Sequence, residues 1–167
     1  MDEIVELRRR VELLESREAV REAMHRYWRV LDYKQWEELE DCFTEDADCD
    51  WGTAGWQAVG RQAIHAFLHG NESQHGMRLS HFGHNPEVRI DAGDPQLATG
   101  IFKLEDWVTL NGVTIMKGFG KYDMRFRRGP DGVWRIAKLR LLHDYREEFP
   151  RWIDGRRVAT TPALDGG

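Results

Sequence analysis

In the stretch RLSHFGHNPEVRI, residues 78–90, a β-type pattern carries two histidines and an asparagine where a strand ordinarily buries apolar side chains. Alternation along a strand sends His81, Gly83 and Asn85 to one face and Phe82 and His84 to the other, so the two histidines do not share one metal ion. An imidazole, with an ordinary pKa of about 6.5, is suited to moving protons when a partner fixes its tautomer and stabilises its charged form. A carboxylate is the usual partner.

Asp32 is one candidate, because it ends a helix whose apolar face must lie on the sheet; a surface ion pair with Arg29, three residues earlier, accounts for it as well. Tyr27 occupies the apolar face of the same helix, so its hydroxyl needs a buried partner, either a structural one or one in a pocket. Asp106, in IFKLEDWVTL, is in phase with Phe102, Leu104 and Val108. A carboxylate among such neighbours marks a site if that face is buried, and simply meets water if the other face is the core. His65 and His69 have the i, i+4 spacing of helical metal ligands, but HAFLH lacks the glutamate of HExxH and no third ligand accompanies the pair, so no metal is expected.

The elements that position these groups follow from periodicity. Ile4, Leu7, Val11 and Leu14 form one helical stripe; Ser16 reads as an N-cap, after which a second helix runs through Val20, Met24, Tyr27 and Leu31 to about Asp32. KQWEELEDCF and GRQAIHAFLH predict two short helices covering a sheet. From about Met77 the pattern alternates, broken by DAGDP, by Asn111-Gly112 and by GPDG at 129–132, so three turns join four long antiparallel strands. DADCDW and the stretch before Gly60 predict a short hairpin. Helices first and strands afterwards give an α+β domain, a curved antiparallel sheet closed by helices over a pocket. One domain over residues 1–153 and a mobile tail over 154–167 are expected.

Composition narrows the partners. The 24 basic and 29 acidic residues are mixed along the chain, net −5, with no basic stripe to attract nucleic acid. No run reaches the roughly 18–20 apolar residues that cross a bilayer, and MDEIVELRRR lacks the apolar segment of a signal peptide, which predicts a cytoplasmic protein without a membrane partner. Cys42 and Cys49 read as free thiols. Seven tryptophans and seven phenylalanines fill a core or line a cavity for a small apolar substrate. The N-terminal stripe and the open sheet edges predict a homo-oligomer, dimer or trimer.

RYWRVLDYKQWEELE, HFGHNPEVRID, ATGIFKLEDW and DYREEF, in that order and at that spacing over about residues 5–150, resemble the bile-acid 7α-dehydratases, in the SnoaL-like branch of the nuclear-transport-factor-2-like superfamily. The resemblance implies an α+β cone with a deep apolar pocket. It carries a catalytic Tyr, Asp and His onto Tyr27, Asp32 and His81, and implies elimination of water without a cofactor, with a 7-hydroxy-3-oxo-4-ene steroid as one substrate class. Asp106, His143 and Phe102 are then expected at the substrate, His143 standing where the family has an arginine. Ketosteroid-type isomerisation and non-catalytic ligand binding or assembly share the fold.

Overall fold

The computed structural model describes residues 3–153 and 156–158. Its first element, α1 (Glu3–Asp32), is one continuous helix of 30 residues, not two. Ser16 caps nothing: it lies among strong helix formers with no glycine or proline to interrupt them. Burial begins only at Val20 and continues through Ala23, Met24, Tyr27, Trp28, Val30 and Leu31. The break in phase that suggested two helices is a change of face within one.

α1 ends in a Schellman motif. The Gln35 N–H reaches the Val30 carbonyl at 2.9 Å and the Lys34 N–H the Leu31 carbonyl at 3.2 Å, with Lys34 in the left-handed region at φ 59°. This stop fixes Asp32 at the rim of the sheet. A short helix α2 (Trp36–Leu39) and one 3-10 turn (Glu40–Cys42) follow, where a single longer helix was expected.

β1 (Phe43–Asp50) and β2 (Gln57–Val59) form the expected antiparallel hairpin, and α3 (Arg61–Glu72) buries Ile64 and Leu68. The four long strands β3 (Met77–Ile90), β4 (Leu97–Leu110), β5 (Val113–Arg128) and β6 (Trp134–Glu148) form the meander. Each turn behaves as its sequence predicts. Asp91 accepts the N–H groups of Gly93 and Asp94, and Asn111 and Gly112 take φ 50° and 80°, as a tight two-residue hairpin loop requires.

The sheet order is β2-β1-β6-β5-β4-β3. It is mixed rather than wholly antiparallel, because β1 runs parallel to β6. A pairing between elements this far apart in the chain is invisible to local alternation. α1 packs against β3 and β6, and the core lies between helices and sheet around Tyr27, Trp28, Phe43, Phe102, Tyr122 and Phe126. Arg151–Ile153 (β7) pairs with Arg156–Val158 (β8), so a strand stands where the tail was expected to begin; the rest of 154–167 lies outside the described residues.

Candidate active site

A cavity of about 210 Å³ lies between the sheet, the end of α1 and the end of α3. Tyr27 and Leu31, one turn apart, face it from α1; Leu68, Asn71 and Glu72 face it from α3; His81, Asp106, Tyr122 and His143 face it from the sheet.

Asp32 meets His81 with both carboxylate oxygens. Oδ2 accepts the His81 backbone N–H at 3.1 Å, and Oδ1 lies 2.6 Å from the ring Nδ1. A carboxylate acceptor puts a hydrogen on Nδ1, so in the neutral ring the lone pair is on Nε2, and His81 lines the cavity. The alternative partner is occupied elsewhere, for Arg29 bonds Gln35 and Glu38. The Trp28 indole lies parallel to the imidazole, 13° between planes and 6.5 Å between centroids. Gly83 makes this possible: a Cβ there would come within 2.2 Å of the Trp28 ring. The glycine between the two histidines of HFGH is thus a seat for the ring beside His81. Alternation fails just beyond, since Asn85 takes φ 47° in a bulge between His84 and Glu87, while His84 is on the outside.

Tyr27 is fully buried, and the Trp51 indole N–H donates to its oxygen at 3.0 Å. An indole nitrogen cannot accept, so the phenolic hydrogen remains available to the cavity. Burial pushes the phenol pKa well above its usual value, with nearby Tyr122 adding to the rise against the Trp51 bond, so Tyr27 stays protonated. Tyr122 is raised likewise by burial and then by Asp106.

Asp106 is buried, 8% exposed, which decides between its two sequence readings. Register places it opposite His81 on one side and Gly118 on the other, and Gly118 opposite Arg146, in one row across four strands. Asp106 Oδ1 lies 3.6 Å from His143 Nε2, and neither atom has a hydrogen-bond partner among the described residues. Gly118 leaves room for the pair, because a Cβ there would sit 2.1 Å from Asp106 Oδ1. Two unsatisfied buried polar atoms on a cavity wall are suited to a ligand hydroxyl or carbonyl.

Phe102, expected at the substrate, is a correction: it is buried edge-on against Trp28 and Phe126 and does not line the cavity. His65 and His69 stack on each other and meet α2 rather than the cavity, His69 edge-on to Trp36 and His65 Nε2 3.1 Å from the Trp36 carbonyl. Among the described residues no group of three His, Cys, Asp or Glu side chains is placed to hold a metal ion. The thiols are buried, and burial pushes Cys42 up to about 11 and Cys49 higher still, so neither is a nucleophile.

Among the lining residues that escaped the sequence reading are Trp51, Arg146 and Glu72. Trp51 was signalled only by the requirement that Tyr27 have a partner. Arg146 reaches the cavity from β6, held by Thr53 at 3.1 Å and Glu148 at 3.0 Å, so the wall keeps a guanidinium three residues beyond His143. Glu72 gave no local signal. Its carboxyl is raised by burial and by Asp106, against the opposing pull of Lys34 and His81, and Lys34 Nζ donates to its backbone carbonyl at 2.7 Å.

The profile of the SnoaL-like domain family matches residues 12–140. A solved scytalone dehydratase-like protein from Novosphingobium aromaticivorans DSM 12444 superposes with a TM-score of 0.72 at 19% identity, covering 93% of this chain and 97% of that one. LinA superposes with 0.70 at 18%, covering 90% and 98%. A nuclear-transport-factor-2-like protein with a cystatin-like fold, from Novosphingobium aromaticivorans, gives 0.68 at 26% identity over 84% and 90%. Those likenesses speak to the fold, and the profile match spans most of the chain, including Tyr27, His81 and Asp106 but ending before His143 and Arg146. The chain belongs to the SnoaL-like domain family.

Proposed function

We propose that this chain is a cofactor-independent dehydratase acting on a small hydroxylated carbonyl compound. The observation that supports it most is the double contact of Asp32 on His81, which engages the backbone N–H and Nδ1 and leaves the other ring nitrogen of this cavity-lining residue out of that contact. His81 Nε2 takes a proton from the carbon beside the substrate carbonyl. The released electron pair forms the new C=C bond as the C–O bond to the hydroxyl breaks, and the imidazolium returns the proton to the departing oxygen as water. Asp32 holds the ring and stabilises its charged form. Tyr27 donates its spare hydrogen to the carbonyl or leaving oxygen.

Cavity size refines the substrate. At about 210 Å³ the space is below the roughly 300–1,000 Å³ of sites for drug-sized ligands. A flat one- or two-ring hydroxy ketone fits this volume better than the four-ring bile-acid-like steroid that the family resemblance suggests.

The test is incubation with a panel of such ketones and of 7-hydroxy-3-oxo-4-ene steroids, reading loss of water by mass. Turnover is expected, with His81→Ala and Asp32→Asn each lowering it by about 10²–10⁴ while the circular dichroism spectrum is retained. Near wild-type turnover in either variant would overturn the mechanism. A product of unchanged mass would make the enzyme an isomerase, and binding without conversion would make it a binding domain.

A further inference from the structure

The first half of α1 carries a second apolar face that stays exposed among the described residues. Leu7, Val11 and Leu14 are 50, 51 and 62% exposed, and Ile4 continues the stripe. At about 100° per residue, the stripe points to roughly the opposite side of the helix from Val20, Met24, Tyr27 and Leu31, which bind the sheet. The described residues that cover the second half of α1 therefore leave this face exposed.

The spacing is that of a coiled-coil seam. Ile4 and Val11 fall at the a positions and Leu7 and Leu14 at the d positions, and β-branched a residues with leucine at d favour two parallel strands. The seam ends at the next repeat, where a and d are Glu18 and Arg21, which pair with each other at 3.0 Å. Flanking charges choose the direction. In a parallel, in-register pair, Glu3 of one copy faces Arg8 of the other, and Arg10 faces Glu15, each twice by symmetry. An antiparallel pair with the same four layers aligned sets Arg8 against Arg8 and Arg10 against Arg10. So short a helix is marginal alone, but this one is already nucleated by its buried half, and association does not have to form it.

We propose that the exposed seam of α1 is an interface for a second copy of this chain, forming a parallel two-stranded coiled coil about a two-fold axis. The interface is independent of the reaction at the cavity.

Sedimentation or light scattering on the full chain is expected to show a dimer at micromolar concentration. Leu7→Glu with Leu14→Glu should raise the dissociation constant more than about a hundredfold while leaving the circular dichroism spectrum intact. Arg10→Glu should weaken the dimer severalfold, and Arg10→Glu with Glu15→Arg should restore it. Leu14→Cys should cross-link to itself under mild oxidation, where the parent chain does not. A monomeric parent, a trimer, an assembly indifferent to the two leucines, failure of the charge swap to rescue, or no self-cross-link at position 14 would each overturn the proposal.

Discussion

Asp32 commits one oxygen to the backbone of His81 and the other to its ring, so position and tautomer are fixed by a single side chain. The sequence offered both partners without joining them, since only the path of α1 decides whether Asp32 meets Arg29 or the sheet. Glu72 shows the opposite limit: nothing in its neighbourhood in the chain marks it, because His81 and Asp106, which act on its carboxyl, lie on other elements. Its chemistry has a definite sign. Burial raises its pKa above the ordinary 4.5, so the folded state holds the proton to higher pH than the unfolded state. The resulting stability is complete below the unfolded value and is lost as pH rises through the folded one. Glu72→Gln, which never ionises, should therefore melt close to the parent in acid and above it at neutral and alkaline pH, read by thermal denaturation across that range.

Elements place these residues through gaps as much as through contacts. Alternation in β4, and in β3 up to its bulge, was legible, and so were the turns that end them. The roles of Gly83 and Gly118 were not, because each glycine serves a side chain distant in sequence: Trp28 on α1 in one case, His143 on β6 in the other. Gly83→Ala should push the Trp28 ring off His81. A loss of about 1–3 kcal/mol is expected from the overpacking, together with a shift in tryptophan fluorescence and reduced turnover, measured by denaturant titration and assay. The parallel pairing of β1 with β6 was hidden for the same reason: strand direction depends on how the chain crosses over, and no local pattern records that.

Across the whole molecule, α1 divides into a half that makes the domain and a half that projects from it. Periodicity found both stripes but assigned them to separate helices, since a sequence pattern does not reveal what covers a face. The two halves should respond differently to the same change. Leu31→Ala, in the core and on the cavity, should cost about 2–5 kcal/mol of stability, whereas Leu14→Ala in dilute solution should stay within about 0.5 kcal/mol; equilibrium unfolding distinguishes them. The α+β class was legible because helices precede strands, whereas the cone came only with the family resemblance. The most direct measurement addresses the central dyad and needs no substrate. Nitrogen NMR of the His81 ring at neutral pH should show a protonated Nδ1 and a bare Nε2, with that preference lost in Asp32→Asn; a proton on Nε2, or an imidazolium throughout the neutral range, would contradict the assignment of His81 as the base.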